Sequence, residues 1–315
     1  MGYVLIAQER LQNTLLFGKS DAEKLLNAYA EPGFRAAMFG LAEGWNGSAR
    51  PIHTGKFNYQ ISITGGFSNN LSTDLNSLGL QVGKVKSNSP STATIMGSAG
   101  GVLILPEGRS ERELNLLNGS NLPAIPMIVS QGNFGFIRNT EISVRGGLIP
   151  LQESLIWTTG LGFKHEIKQW IPSIALANFD LAVFGNYSVI SFDYKLDIDN
   201  LTNNPDNQFW RFKGNTAAWG IIASKKLVLL TLSTGLQYTQ SKGNMRLDGT
   251  YLVGSFPNEP TTMDNPINRD FSGNRFSFIL AGRLSLGFLS AQITSNVSKN
   301  STVSFSLIFG RVSRR

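Results

Sequence analysis

Few residues in this sequence are equipped for chemistry. Only two histidines occur, His53 in ARPIHTGKF and His165 in GFKHEIKQW. Neither has a neighbouring cysteine or a close pair of carboxylates, so the ligand spacings of a zinc site are missing and no metal site is expected. Ser154 and Ser188 are near His165 in sequence, and a Ser–His pair on a barrel wall, oriented by an Asn, is an arrangement able to attack a lipid ester. An outer-membrane lipid hydrolase is therefore the enzymatic alternative, but no GxSxG elbow supports it and the expectation is a protein that is not an enzyme. GLGF at 160–163 lacks the Lys-Ser/Thr partner and the strand-to-helix context of a phosphate loop. Asp197 with Asp199, and Glu107 with Glu111 and Glu113, are the acidic groups a calcium loop would use, yet no EF-hand spacing occurs. With no cysteine in the chain, disulfides, thiolate metal sites and thiol nucleophiles drop out together. No cofactor is expected.

The elements that hold these residues are legible in composition. Charged residues make up 16% of the 315, below the roughly 25% of soluble domains, while glycine (33) and phenylalanine (20) are abundant and the mean hydropathy is −0.05. No run approaches the roughly 20 apolar residues of a spanning helix, so a membrane role requires a barrel or surface attachment. The net charge of +7 is scattered through turns and loops, dense only at Lys225-Lys226 and the tail GRVSRR. That pattern argues against nucleic acid and fits an anionic membrane surface. MGYVLIAQ, residues 1–8, reads as the tail of an export signal, although a buried strand reads the same way.

Residues 55–66, GKFNYQISITGG, place Phe57, Tyr59, Ile61 and Ile63 on one face and Asn58, Gln60, Ser62 and Thr64 on the other. Such a strand serves either a soluble exported sandwich with the apolar face inward or a membrane barrel with the apolar face in lipid. Strands are predicted at 56–67, 75–84, 132–138, 139–147, 153–166, 177–194, 209–223, 226–240, 243–253, 273–285, 287–297 and 301–311. Their polar faces are Ser, Thr, Asn, Gln and Gly, which suit a lumen better than a solvated surface. Short connections (IASKKL, SKGN, VSKNS) alternate with long polar ones at 195–208 and 256–272, as in membrane barrels. Residues 85–131 break the pattern and predict a folded insertion entering the lumen with the N-terminal helix as a plug, the alternative being a mobile extracellular loop.

Ahead of the strands, SDAEKLLNAYAE (20–31) predicts a helix with a Ser20/Glu23 capping box, ended by Pro32-Gly33. FRAAMFGLAEGW follows as a short helix or packed loop. Leu25, Leu26, Tyr29, Phe34, Met38 and Phe39 are the candidate plug or ligand-contacting residues of a segment spanning 20–50, with the barrel at 55–315. Trp157, Trp170, Tyr187, Tyr194, Trp210 and Trp219 are the candidate membrane girdle, because Trp and Tyr favour the membrane–water boundary.

DAEKLLNAYAEPGFRAAMFGLAEGW, TATIMG, GLGFKHEIKQWIPS, FDLAVFGNYS and WGIIASKKL resemble an uncharacterised family of Bacteroidota outer-membrane barrels known by a domain-of-unknown-function label, over most of the chain from residue 20. That family is reminiscent of long-chain fatty-acid transporter barrels with an N-terminal segment in the lumen. The chain departs from the usual bacterial pattern in continuing past Phe309 with GRVSRR rather than closing on an aromatic.

The expectation is an all-β transmembrane antiparallel barrel of about 12–14 strands with an N-terminal helical plug. It would reside in the bacterial outer membrane and handle a hydrophobic small molecule such as a fatty acid or lipid. The alternatives are a structural or assembly subunit bound to other envelope proteins, and a soluble exported β-sandwich.

Overall fold

The computed structural model describes residues 2–107, 110–151, 154–196, 208–254 and 261–310. Its strands close into an antiparallel barrel. In chain order these are β1 (Phe57–Phe67), β2 (Ala124–Phe136), β3 (Thr140–Leu151), β4 (Ser154–Glu166), β5 (Asp180–Lys195), β6 (Phe209–Leu227), β7 (Leu230–Asp248), β8 (Ile267–Leu286), β9 (Leu289–Val297) and β10 (Thr302–Phe309). Each pairs with its neighbours in sequence, and β1 closes the ring by lying between β2 and β10, with Ile61 opposite Ser130 on one side and Leu307 on the other.

The question posed by the alternating strand is settled by burial. Asn58, Gln60, Ser62 and Thr64 point inward and are buried, while Phe57, Tyr59, Ile61 and Ile63 are exposed. The same inversion holds around the wall: Leu148, Leu161, Leu284, Ile293 and Phe305 face outward, whereas Ser143, Gln292, Thr294, Ser304 and Ser306 face inward. Leu161 is 63% exposed and Leu286 58%. Soluble monomers rarely expose apolar patches beyond a few hundred Å², so a continuous apolar belt of this kind requires hydrocarbon as its solvent. Among the described residues no pair of stacked sheets encloses these side chains, and the sandwich alternative falls with that.

The barrel has ten strands among the described residues, fewer than expected. Two predicted strands account for the difference. Residues 243–253 do not start a new strand, because β7 runs unbroken through Ser241–Asn244, paired on both sides with β6 and β8. Gly243 sits there not for a turn but for space: a Cβ would meet the Phe212 ring at 2.8 Å and the Met38 sulfur at 3.1 Å. Residues 75–84 form a 3-10 turn (Leu75–Leu78) and then wrap around the buried Asp21 carboxylate. It accepts from the backbone N–H of Gln81, Val82 and Gly83 at 2.8–3.0 Å. A buried carboxylate holding three amides outcompetes extended pairing for this stretch.

At one rim, the loop rim, stand the connection 68–123, the described ends of the β5–β6 and β7–β8 connections and the short β9–β10 turn at 298–301; at the other, the turn rim, are the short turns 137–139, 228–229 and 287–288, with the longer 167–179 as an exception. The 68–123 insertion is folded and stays at the loop rim. Leu75, Leu103, Leu105, Leu114 and Leu116 form its small core, together with Phe17 and Leu25 of the N-terminal helices. The barrel strand β2 begins at Ala124, within the range expected for the insertion.

Two helices precede the barrel, α1 (Gly2–Leu15) and α2 (Gly18–Leu41). The backbone of the apolar start is thus helical, not extended. Helix α2 neither begins at a Ser20 capping box nor ends at Pro32-Gly33. It starts at Gly18 without a side-chain cap and continues through Pro32 for nine further residues, to Leu41. Burial of Phe34, Ala37, Met38 and Leu41 in the barrel mouth outweighs the local breaking signal. Gly33 is needed on contact grounds, since a Cβ would lie 2.2 Å from Ile95 Cγ2.

Candidate functional site

The lumen is occupied by the chain's own N-terminal segment, and that occluded bore is the candidate site. Helix α1 lies at the loop rim, where Gln12 Nε2 donates to the Leu252 carbonyl of a rim hairpin at 2.8 Å. Helix α2 enters the barrel mouth. Phe34 stacks on Phe212 of β6, centroids 4.0 Å apart and ring planes nearly parallel, beside Phe271 of β8 and Trp210. Below Leu41 the chain descends through turns and bends to the turn rim, where it becomes β1.

This descending segment is held by polar contacts. Arg145, on the inner face of β3, donates to the Leu41 carbonyl at 3.3 Å and the Glu43 carbonyl at 2.7 Å, and its Nε and Nη2 both reach Gln131 Oε1. The Glu43 carboxylate accepts from the hydroxyls of Thr294, at 2.6 Å, and Thr302. Gln60 Nε2 donates to the Gly44 carbonyl, Ser233 Oγ to that of Gly47, and Ser224 Oγ accepts from Ala49 N–H. Trp45 lies in a slot made by two glycines: a Cβ at Gly160 or Gly162 would come within 2.8–2.9 Å of its ring. Near the turn rim the Ile52 amide donates to Glu141, which is paired at 2.9 Å with Lys164, and Arg50 pairs with Asp180 at 3.0 Å. A residual cavity of about 30 Å³ remains beside these groups, room for about one water.

The predicted plug residues are all in contact with their surroundings but divide between two cores. Leu26, Tyr29, Phe34 and Met38 belong to the cluster in the barrel mouth, Leu25 packs with the insertion, and Phe39 lies under the Arg275 guanidinium at 4.7 Å. Burial pushes the Tyr29 hydroxyl up to about 12; it donates to the Asn118 carbonyl at 2.8 Å. Of the predicted girdle, Trp157, Tyr187 and Trp219 face outward on the wall, and Trp170 is exposed beyond the turn rim. Tyr194 and Trp210 are misassigned: both turn inward and pack against the core cluster, Trp210 6.1 Å from Tyr29. Their register, Trp210 two residues from inward-facing Phe212 and Tyr194 two from inward-facing Phe192, sets the side of the wall they occupy.

The proposed Ser–His pairs do not assemble. His165 is outward, bonded through Nδ1 to Thr140 and receiving the Trp170 indole N–H at 3.2 Å, whereas Ser188 is buried on the inner face. Ser154 is at the opposite end of β4 from His165. Asp197 and Asp199 lie outside the described residues; Glu111 and Glu113 pair with Lys84 and Lys86. Among the described residues no cluster of His, Asp or Glu is arranged to hold a metal.

Sequence reading missed Asp21, Glu43, Trp45 and Arg145. For Arg145 a signal was present: in ISVRGGL it falls in the polar register with Ser143, and a charge in the inward register of a barrel strand must be paired. A family model described as a family of unknown function (DUF6588) matches residues 2–311. The chain belongs to DUF6588. No curated protein matches it. Among solved structures this DUF6588 chain is similar to the translocator domain of the autotransporter NalP from Neisseria meningitidis, at 12% identity, covering 91% of this chain and 99% of that one with a TM-score of 0.35. It is also similar to the outer-membrane protease OmpT from Escherichia coli (10%, 82% and 95%, 0.34) and to a FadL homologue from Pseudomonas aeruginosa (8%, 81% and 90%, 0.23).

Proposed function

We propose that this DUF6588 protein is an outer-membrane channel closed by its own N-terminal segment, with the loop rim outside the cell and the turn rim in the periplasm. The single observation that supports this is the chemistry around residues 42–52. Their partners on the wall are mainly hydroxyls, carboxamides and paired charges, so withdrawal of the segment would leave a bore that water wets. Each such neutral bond contributes only about 0.5–1.5 kcal/mol net, because water replaces it. An apolar substrate would find no continuous apolar path down this part of the lumen.

Ser48 and Ser224 offer a direct test, their Oγ atoms being 3.4 Å apart. Because the chain has no cysteine, Ser48→Cys with Ser224→Cys introduces a single tether between segment and wall. In planar bilayers the reduced variant should open intermittently and the oxidised one should stay shut. Silence in both states, together with silence of a variant lacking residues 18–45, would instead favour a structural role in the envelope.

One feature favours the hydrophobic-substrate reading as a second possibility. A groove of about 720 Å³ runs on the wall near the loop rim, lined by Trp157, Val189, Phe271 and the facing Gly214 and Gly243, with Met38 behind the glycines and Lys213, Lys242 and Asp270 at its edges. A lateral path for an apolar molecule would start there. Binding of a fluorescent fatty acid that is abolished by Gly243→Val would support it.

A further inference from the structure

A second cavity, of about 890 Å³, opens at the loop rim between helix α2, the start of the insertion, the first half of β8 and the β9–β10 turn. Its size is within the range of about 300–1,000 Å³ usual for small-molecule sites. Five basic side chains line it, Lys24, Arg35, Arg269, Arg275 and Lys299, against a single carboxylate, Glu31, which is already paired with Arg35. The remaining lining is dominated by asparagine carboxamides and serine and threonine hydroxyls, the groups that bond sugar hydroxyls.

Charge alone would not make this a site, but Arg275 does. It is only 5% exposed, its guanidinium rests on the Phe39 ring, and its Nη1 donates to the Asn300 carbonyl at 2.7 Å and to Thr302 Oγ1 at 3.3 Å. Its Nε and Nη2 have no protein partner. Buried donors left unpaired are costly, and the fork geometry of a guanidinium matches phosphate or carboxylate oxygens. The neighbouring Phe276 also lines the cavity and faces outward, so the opening borders the apolar belt.

We propose that this cavity binds a phosphorylated saccharide, with Arg275 at its floor and Arg35, Arg269 and Lys299 around its mouth. The same chemistry is carried by the phosphorylated sugar headgroup of an outer-leaflet glycolipid and by a free sugar phosphate. The site does not depend on whether the lumen opens.

The test is calorimetric titration of the full chain in non-ionic detergent with three probes: lipid A, the deacylated bisphosphorylated glucosamine disaccharide, and unphosphorylated chitobiose. The bisphosphorylated disaccharide should bind, more weakly as salt is raised, and chitobiose should not. Arg269→Gln with Lys299→Gln, both at exposed positions, should weaken binding at least about tenfold through loss of charge-assisted bonds. Arg275→Gln should abolish it, with heat-dependent gel mobility confirming that the barrel is folded. Lipid A bound much more tightly than the deacylated probe would identify the headgroup in its membrane as the source; equal affinity would identify the free sugar phosphate. Equal affinity for chitobiose, unchanged binding in the double variant, or no binding of any probe overturns the proposal.

Discussion

The Arg145 guanidinium lies 4.1 Å from the centroid of the Trp45 ring, stacked over it inside the lumen while donating to the Leu41 and Glu43 carbonyls. One residue belongs to the barrel wall and the other to the segment that fills the bore. The contact therefore couples the state of the plug to the wall, and both partners are buried.

Arg145→Ala should loosen that coupling. Removing the donor that satisfies two buried carbonyls and the Gln131 carboxamide costs about 1–3 kcal/mol. The temperature at which the detergent-solubilised protein loses its compact gel mobility should fall, and spontaneous openings in planar bilayers should become more frequent. Unchanged openings would show that Arg145 supports the wall alone.

Gly162→Val approaches the same lock from the opposite side. Even a Cβ at this position meets the Trp45 ring at 2.8 Å, and valine adds two methyl groups to it. The indole should be expelled from its slot, reported by a red shift in tryptophan emission and by increased conductance. A wild-type spectrum would mean that the slot is wider than these distances indicate.

Glu141 and Lys164 should behave as a pair. Glu141→Gln leaves the Lys164 ammonium without its charge partner 2.9 Å away, at a cost of about 3–5 kcal/mol. Glu141→Gln combined with Lys164→Met should recover part of that loss, since the Lys164 ammonium is gone while buried Arg283, which also faces Glu141, keeps its charge. Additive losses in the double variant would contradict the pairing.

The belt can be probed by an outward-facing charge at two heights on the wall. Leu161→Arg points outward and should destabilise the barrel in lipid vesicles by about 2–4 kcal/mol if it lies near the bilayer midplane. Arginine at outward Lys213, beside the loop rim, should be tolerated. Urea-induced unfolding in vesicles measures both, and equal effects would place the belt outside the membrane.

Tyr29 predicts an alkaline sensitivity at the rim. Its pKa is raised from 10.0 to about 12 by burial, so the neutral form is favoured in the folded state. The stability it contributes is complete below pH 10 and declines as pH rises through about 12. A tyrosinate absorbance titration should show a late step near pH 12 that disappears in Tyr29→Phe, while an unchanged curve would deny the burial.

Much of the fold was written into the chain, because a strand's side-chain period of two survives any tertiary context. Asn58 to Thr64 and Ser304 to Ile308 fixed which residues share a face, and the charge-poor polar register indicated a lumen. The sequence alone could not fix the strand count or the girdle. Ser241–Asn244 has turn-forming residues but lies in a continuous strand because two neighbours bond to it and Phe212 with Met38 fills the space over Gly243. Trp210 is aromatic on either reading, and only register turned it inward to Phe34.

The plug's grip was likewise invisible in one dimension. Arg145 meets Glu43 and Trp45 across about a hundred residues of chain, and Pro32 is overridden by packing that begins two residues later. Periodicity is a local property, carried by every strand on its own. Which buried charge meets which carbonyl depends on how the ring of strands closes around the N-terminal segment, and that was decided only by the tertiary structure.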